Sequence, residues 1–352
     1  MEPQSAAGLP RASESHALEI AQDICGSNII ATTSGRAQAG VELAQQRPEA
    51  KVTVWFTDLF QHDSAVNAHA LSEQKAQKIF VCAADMPPGP YDLAIIPLSK
   101  SGEAEFTRDI VQSAFSNLAI GGTLVTAIDN PTDTWLREQL AATGETVSVR
   151  PSVKTVGYVI RKTRELQRIR DFRCRYVFRD SGKLIHAISR PGVFSHRRID
   201  PGARHLLDQA ELSAGMRVLD IGCGSGAVSL GVAARDIGVQ VHAIDCFTRS
   251  VECTREGAAI NKLSNLSVSL VAHGEIDAEG TYDLAIANPP YYSDFRIAEL
   301  FIDTAARALV KGGKLLLVTK HPAWYVERMH ESWEDIATGE VKRYHLIEVT
   351  KP

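Results

Sequence analysis

Val218-Leu219-Asp220-Ile221-Gly222-Cys223-Gly224-Ser225-Gly226 is the stretch on which the reading of this 352-residue chain turns. An apolar run interrupted by one acid gives way to three glycines at alternate positions, and Ala227-Val228-Ser229-Leu230 follows as an apolar helix start. Strand, glycine loop and helix in that order open a parallel α/β sheet. Such a loop lies at the carboxyl edge of the sheet, where open α/β folds bind ligands. Glycines there let backbone N–H groups approach a ligand without Cβ interference.

Outward from this loop the chain repeats itself. Tyr91-Asp92-Leu93-Ala94-Ile95 returns as Tyr282-Asp283-Leu284-Ala285-Ile286, an offset of 191 (282 − 91). Leu118 with Gly121-Gly122 returns as Leu309 with Gly312-Gly313 at the same offset (312 − 121 = 191). Apolar strands are expected behind each glycine pair, over 123–128 and 314–319. Two words sharing one spacing imply a tandem duplication of one α/β unit. In the second copy, strands expected over 217–221, 239–244, 267–272, 283–287 and 314–319 alternate with helices such as 248–261 and 297–308. That alternation predicts a mostly parallel sheet covered on both faces, closed by an antiparallel pair over 335–338 and 344–350. The first copy has Asn28-Ile29-Ile30-Ala31-Thr32-Thr33-Ser34-Gly35 near its first strand, with one glycine where the second has three. It keeps the scaffold and has lost the pocket.

The second decisive word is Asn288-Pro289-Pro290-Tyr291, 62 residues after Gly226 (288 − 226). The strand over 283–287 carries it to the same sheet edge. An exocyclic amine on a base is a poor nucleophile because its lone pair is delocalised into the ring. Acceptors that grip both N–H bonds aim that lone pair, and the Asn288 oxygen and the Pro289 carbonyl suit the task. The two prolines fix φ and carry no N–H, so the corner accepts without donating. Tyr291 offers a face on which an extruded base stacks. Taken alone, Gly222, Gly224 and Ala227 also satisfy the dinucleotide fingerprint, with Asp245 as the acid about 20 residues on. A dehydrogenase therefore stays open on the loop, but it has no use for the later corner. At the first copy's equivalent positions stand Pro97-Leu98-Ser99-Lys100.

Length favours two domains. No apolar run approaches the ~20 residues of a membrane span, and the first residues lack a secretory pattern. The six cysteines form no C-x-x-C pair and the histidines show no ligand spacing, so no metal site is expected and a reducing, cytoplasmic setting is. Net charge is −4, but residues 161–204 carry 13 basic and 4 acidic side chains, +9 against −13 for the remainder. Arg168, Arg170 and Arg173, with Phe172, Tyr176 and Phe178 interleaved, are the expected RNA contacts. The alternative is a solvated strap whose arginines pair with acids.

With both motifs and the duplication in view, the chain resembles the class I S-adenosylmethionine-dependent methyltransferases. More narrowly, it is similar to the tandem-domain ribosomal RNA guanine-N2 methyltransferases, which pair a degenerate amino-terminal domain with an active carboxy-terminal one. The resemblance runs from about Ala17 to the end. It implies two tandem Rossmann-like domains, S-adenosylmethionine as cofactor and RNA as substrate; a monomer is expected from the duplication, because the chain already pairs two like domains. It implies that Asp220, Gly222, Gly224, Gly226 and Asp245 hold the cofactor and that Asn288, Pro289, Pro290 and Tyr291 hold the base. Pro191-Gly192-Val193-Phe194-Ser195 with Asp200 and Gly202 corresponds to a segment that closes over the cofactor, which adds Phe194 and Gly202 to the cofactor set. Tyr291 stands where the guanine-N2 enzymes carry Phe. Adenine-N6 and glutamine-N5 enzymes carry Tyr, so those acceptors remain alternatives, as does a non-catalytic RNA-binding assembly factor. The expected division is a disordered tail over 1–16, a degenerate domain over 17–162, a basic linker over 163–190 and a catalytic domain over 191–352.

Overall fold

The computed structural model describes residues 11–35, 37–69, 78–235, 238–290 and 295–352. The chain forms two compact units, Met1–Phe172 and Arg173–Pro352.

In the first unit the elements run α1 (Ala12–Gln22), β1 (Asn28–Ala31), α2 (Gln38–Gln46), β2 (Lys51–Phe56), α3 (Leu59–His69), β3 (Lys78–Cys82), β4 (Tyr91–Leu98), α4 (Ala104–Ser116), β5 (Leu118–Ile128), α5 (Trp135–Ala141), β6 (Ser148–Pro151) and β7 (Val156–Arg161). The second unit opens with a hairpin, β8 (Cys174–Asp180) and β9 (Lys183–Ser189). It continues through α6 (Pro201–Gln209), β10 (Arg217–Ile221), α7 (Ala227–Ala234), β11 (Gln240–Asp245), α8 (Thr248–Asn261), β12 (Leu266–Leu270) and β13 (Tyr282–Ala287). It ends with α9 (Arg296–Ala308), β14 (Leu309–Thr319), α10 (Pro322–Met329), β15 (Glu334–Val341) and β16 (Tyr344–Thr350).

The two main sheets have one topology. Their orders are β3-β2-β1-β4-β5-β7-β6 and β12-β11-β10-β13-β14-β16-β15. All pairs from the first edge through β5 or β14 are parallel, and β7 and β16 enter antiparallel. The duplication read from two short words is thus a duplication of the whole sheet. Those words also explain themselves physically. Asp92 accepts from the backbone N–H groups of Ser27 and Asn28, both at 2.9 Å, pinning the entry to β1. Asp283 does the same for the Arg217 N–H at 2.8 Å, at the entry to β10. Each glycine pair sits at a register shift between the fourth and fifth strands of its sheet, β4 and β5 or β13 and β14. Gly121 (φ +90°) and Gly312 (φ +76°) supply the left-handed backbone the shift needs. The fifth strands consequently begin at Leu118 and Leu309, upstream of the glycines, whereas the sequence suggested a start behind them.

Three further boundaries move. Residues 12–16, expected in the disordered tail, form the first turns of α1, where Ser13 and Glu14 are buried. Residues 174–189, expected within a linker, are the β8–β9 ladder, and Phe178, Ile185 and Ala187 join the apolar core beneath α7 and β10. The last hairpin turns at Lys342-Arg343, so its first strand, expected over 335–338, runs on through Gly339 to Val341.

Candidate active site

The glycine loop joins β10 to α7. Gly222, Gly224 and Gly226 have φ of +77°, +56° and +76°, so the alternation of glycines reflects three left-handed positions in five residues. Space is restricted as well. A Cβ at Gly222 would lie 2.7 Å from the Phe301 ring, and one at Gly226 2.7 Å from Thr254 Oγ1. A Cβ at Gly224 would meet Phe194 at 3.6 Å. Phe194, which the family resemblance placed over the cofactor, is 57% exposed beside the loop.

Asp220 and Asp245 divide the support of this loop. Asp220 ends up beneath it, only 4% exposed, where its Oδ2 accepts from Ser229 N (3.1 Å) and from Ser229 Oγ. Burial pushes its carboxyl up to about 6 against the opposing pull of the Ser229 hydrogen bonds. Asp245, at the end of β11, accepts from Gly224 N at 2.9 Å and from Phe247 N at 2.8 Å. Its carboxylate therefore already tells the loop where to lie. Tyr176 of β8 adds a hydrogen bond to Ser225 Oγ at 2.7 Å, a contact from the hairpin that sequence reasoning missed.

The cleft beside the loop is lined by Phe194, Asp200, Ala203, Asp220, Gly222 and Asn288, among others. Asn288 and Pro289 leave β13 at the carboxyl edge, in register with the loop because Ile221 pairs with Ala287. The Asn288 Nδ2 donates to Asp200 Oδ2 at 3.1 Å. The same oxygen caps α6, accepting from Gly202 N (2.7 Å) and Ala203 N (3.2 Å). Gly202 therefore belongs to the Asp200 cap, and a Cβ there would crowd Asp200 Oδ2 at 2.7 Å and Asn288 Nδ2 at 3.3 Å. Tyr291 lies outside the described residues.

Nearby, Phe295 stacks on Trp324 with centroids 4.3 Å apart and planes 10° from parallel, and meets His321 and Tyr325 edge-on. Tyr325 is buried, and Trp324 packs on the core beneath α9 and α10. His273 is exposed on its loop.

Among the expected RNA contacts, Arg168 and Arg170 are exposed, and the Arg170 guanidinium lies 4.9 Å over the Phe172 ring. Arg173 is committed to Glu256 at 3.0 Å. Other basic residues of this segment are structural: Lys162 Nζ is buried and donates to the Ser116 and Leu118 carbonyls, and Arg190 pairs with Glu252 at 2.7 Å.

In the first unit the corresponding loop is filled from within. The pairings of Ile29 with Leu93 and of Val218 with Leu284 set the offset near the loops at 189 (218 − 29), which places Ala37 on Gly226 and Glu14 on Ala203. Ala37 adopts the same left-handed conformation, φ 63°. Glu14 is wholly buried, and its Oε1 accepts from Thr33 Oγ1 (3.0 Å) and Ala39 N (3.3 Å). Its Oε2 would touch a Cβ on Gly35 at 3.4 Å. The chain's own carboxylate fills the cradle that a ligand would need, and desolvation pushes that carboxyl up.

The fold and loop together define the class I methyltransferase architecture. The family model of the methyltransferase small domain matches residues 185–348. The chain is 35% identical over 155 residues to ribosomal RNA small subunit methyltransferase C of Chromohalobacter salexigens, covering 41% of this chain and 45% of that relative. It is 27% identical to the uncharacterised protein YbxB of Bacillus subtilis, over 49% of this chain and 90% of that one. The chain thus spans about half the length of the first of these relatives. Among solved structures it superposes on the 16S rRNA N2 methyltransferase of T. thermophilus, in complex with AdoMet and guanosine, with TM-score 0.76 and 21% identity. That match covers 96% of this chain and 91% of the other. In particular, the chain resembles the tandem-domain ribosomal RNA guanine-N2 methyltransferases, both sheets included.

Proposed function

We propose that this protein transfers a methyl group from S-adenosylmethionine to the exocyclic N2 of a guanine in ribosomal RNA, acting in the cytoplasm as a monomer. The observation that carries the reading is the Asn288-Pro289-Pro290 corner held beside a glycine loop with three left-handed glycines. The residues fit the cofactor. The glycine loop lines the cleft with no Cβ on Gly222, Gly224 or Gly226, Asp245 ends β11 where ribose hydroxyls would be accepted, and the acids Asp200 and Asp220 line the cleft. Negative charge from three carboxylates suits a sulfonium cation. When bound, S-adenosylmethionine supplies an electrophilic methyl group. Asn288 Oδ1 and the Pro289 carbonyl accept the two amine N–H bonds and aim the nitrogen lone pair, and proline carries no N–H to compete. Once nitrogen holds the methyl group its proton is acidic and passes to solvent, so no strong base is required. Tyr291 provides the stacking face. Arg168 and Arg170 approach the RNA backbone, and the first unit serves as a substrate-binding module.

The test is transfer of labelled methyl from S-adenosylmethionine to RNA from a strain lacking the gene, with nucleoside analysis, for wild type and Asn288→Ala. Label in N2-methylguanosine that vanishes in the variant, with cofactor binding retained, is the expected result. Label in another nucleoside would replace guanine N2 as the acceptor, and label confined to protein would overturn the RNA reading.

A further inference from the structure

We infer that Asp200 is the positioning residue of the site: its carboxylate turns the Asn288 side-chain amide so that Oδ1, and not Nδ2, meets the acceptor nitrogen. The inference rests on the methyl-transfer reading for its purpose and on the geometry for its substance.

An amide can present either end to a substrate, and only the oxygen can accept from an amine. An ionised carboxylate accepts and cannot donate. The end of Asn288 lying 3.1 Å from Asp200 Oδ2 is therefore the NH2 end. Asn288 Oδ1 has no hydrogen-bond partner among the described residues, which leaves it to take the substrate proton. Asp200 is itself immobilised, since Gly202 N and Ala203 N donate to that same oxygen at 2.7 and 3.2 Å. The first turn of α6 and the catalytic corner are thus coupled through one atom, across 88 residues of sequence. Gly202 makes the coupling possible, because any Cβ there would press on Asp200 Oδ2 at 2.7 Å.

The duplicated unit supplies an internal comparison. The N-cap of α1, at the position of Asp200, is Arg11, and the position of Asn288 is taken by Pro97. Both partners are missing together from the unit whose cradle Glu14 fills, while its sheet and glycine-pair shift persist.

Asp200→Ser separates the two duties, for serine caps a helix as well as aspartate does but is too short to reach Asn288. Asp200→Asn retains an oxygen at full length. The expected result for methyl transfer is a kcat lower by about tenfold or more in Asp200→Ser, with KM for RNA and cofactor affinity nearly unchanged, and recovery in Asp200→Asn. A role confined to capping would move melting temperature and leave that kcat-against-KM split absent. An Asp200→Ser enzyme with wild-type kcat overturns the inference. A second readout needs no turnover: the Asn288 side-chain amide resonances of 15N-labelled protein, assigned by their loss in Asn288→Ala. They should shift and exchange faster with solvent in Asp200→Ser; if they are identical in both proteins, the inference fails. If wild type methylates no RNA, the functional reading fails, and the resonances still decide whether Asp200 orients the amide.

Discussion

Replacing Gly226 with alanine tests whether the loop is built as described. Gly226 has φ +76°. An added Cβ would lie 2.7 Å from Thr254 Oγ1, 2.8 Å from its Cγ2 and 3.0 Å from its Cβ. Thr254 is wholly buried on α8, and its hydroxyl lies 3.3 Å from the Gly224 carbonyl, so it has nowhere to rotate. The left-handed backbone costs alanine about 1–2 kcal/mol, and overpacking a filled site adds about 1–3 kcal/mol. Ala37 holds the same conformation at φ 63° in the first unit, so the backbone term alone is tolerable and the clash decides the outcome. The sum, about 2–5 kcal/mol, corresponds to a melting temperature lower by on the order of 10 °C for a domain of this size. Calorimetry of wild type, Gly226→Ala, Thr254→Ala and the double variant measures it. Thr254→Ala removes Oγ1 and Cγ2, so Gly226→Ala should cost at least about 1 kcal/mol less in that background. Equal cost in both backgrounds would refute the crowding argument, and a total cost under about 0.5 kcal/mol would refute the strained loop altogether.

Two further outcomes follow from the site. Asp220 has a folded-state carboxyl raised to about 6, above its unfolded value, so the native state binds the extra proton and its contribution to stability is lost as pH rises from about 4 to about 6. Asp220→Asn removes that loss; the variant should gain melting temperature relative to wild type across that window, and a constant difference from pH 4 to 7 would contradict the buried, proton-binding state. For the RNA contact, Arg168→Ala with Arg170→Ala should weaken RNA binding and lower the salt slope by about 1.4, two phosphate contacts at about 0.7 each. Arg173→Ala should change binding less, because Arg173 is already paired with Glu256; filter-binding titrations at several salt concentrations distinguish the two, and a dominant Arg173 effect would reverse the assignment.

What sequence could show depended on whether the cause was local. The Tyr-Asp word and the glycine pair act within one strand junction, and they disclosed the duplication. The glycine loop was legible because left-handed φ leaves a compositional trace. The β8–β9 hairpin was not seen as structure, since Arg175, Val177 and Arg179 on its exposed face made the segment read as charged linker. Its turn did leave a sign: Ser181-Gly182, both with positive φ, is a two-residue hairpin turn. The fit of Thr254 to Gly226 and of Phe301 to Gly222 had no sequence signal, for each depends on two helices meeting the loop. The Asp200–Asn288 bond joins residues 88 apart and could be found only in three dimensions.

The duplicated chain separates scaffold from chemistry without any outside comparison. Both units retain the acid that pins the first strand, the glycine shift and the same seven-strand order. The left-handed entry to the helix after the loop survives even where glycine became alanine. Among the differences at the sheet edge are Arg11 for Asp200, Glu14 for Ala203 and Pro97 for Asn288. Each change removes an acceptor, fills the cradle or breaks the amide link, and the strand order is the same in both units. A sheet edge that is free to vary this far in one copy is not needed for folding. Its elaborate arrangement in the other copy, with one carboxylate oxygen taking three donors, therefore calls for a functional cause, and positioning of an amine acceptor is the cause that uses every part of it.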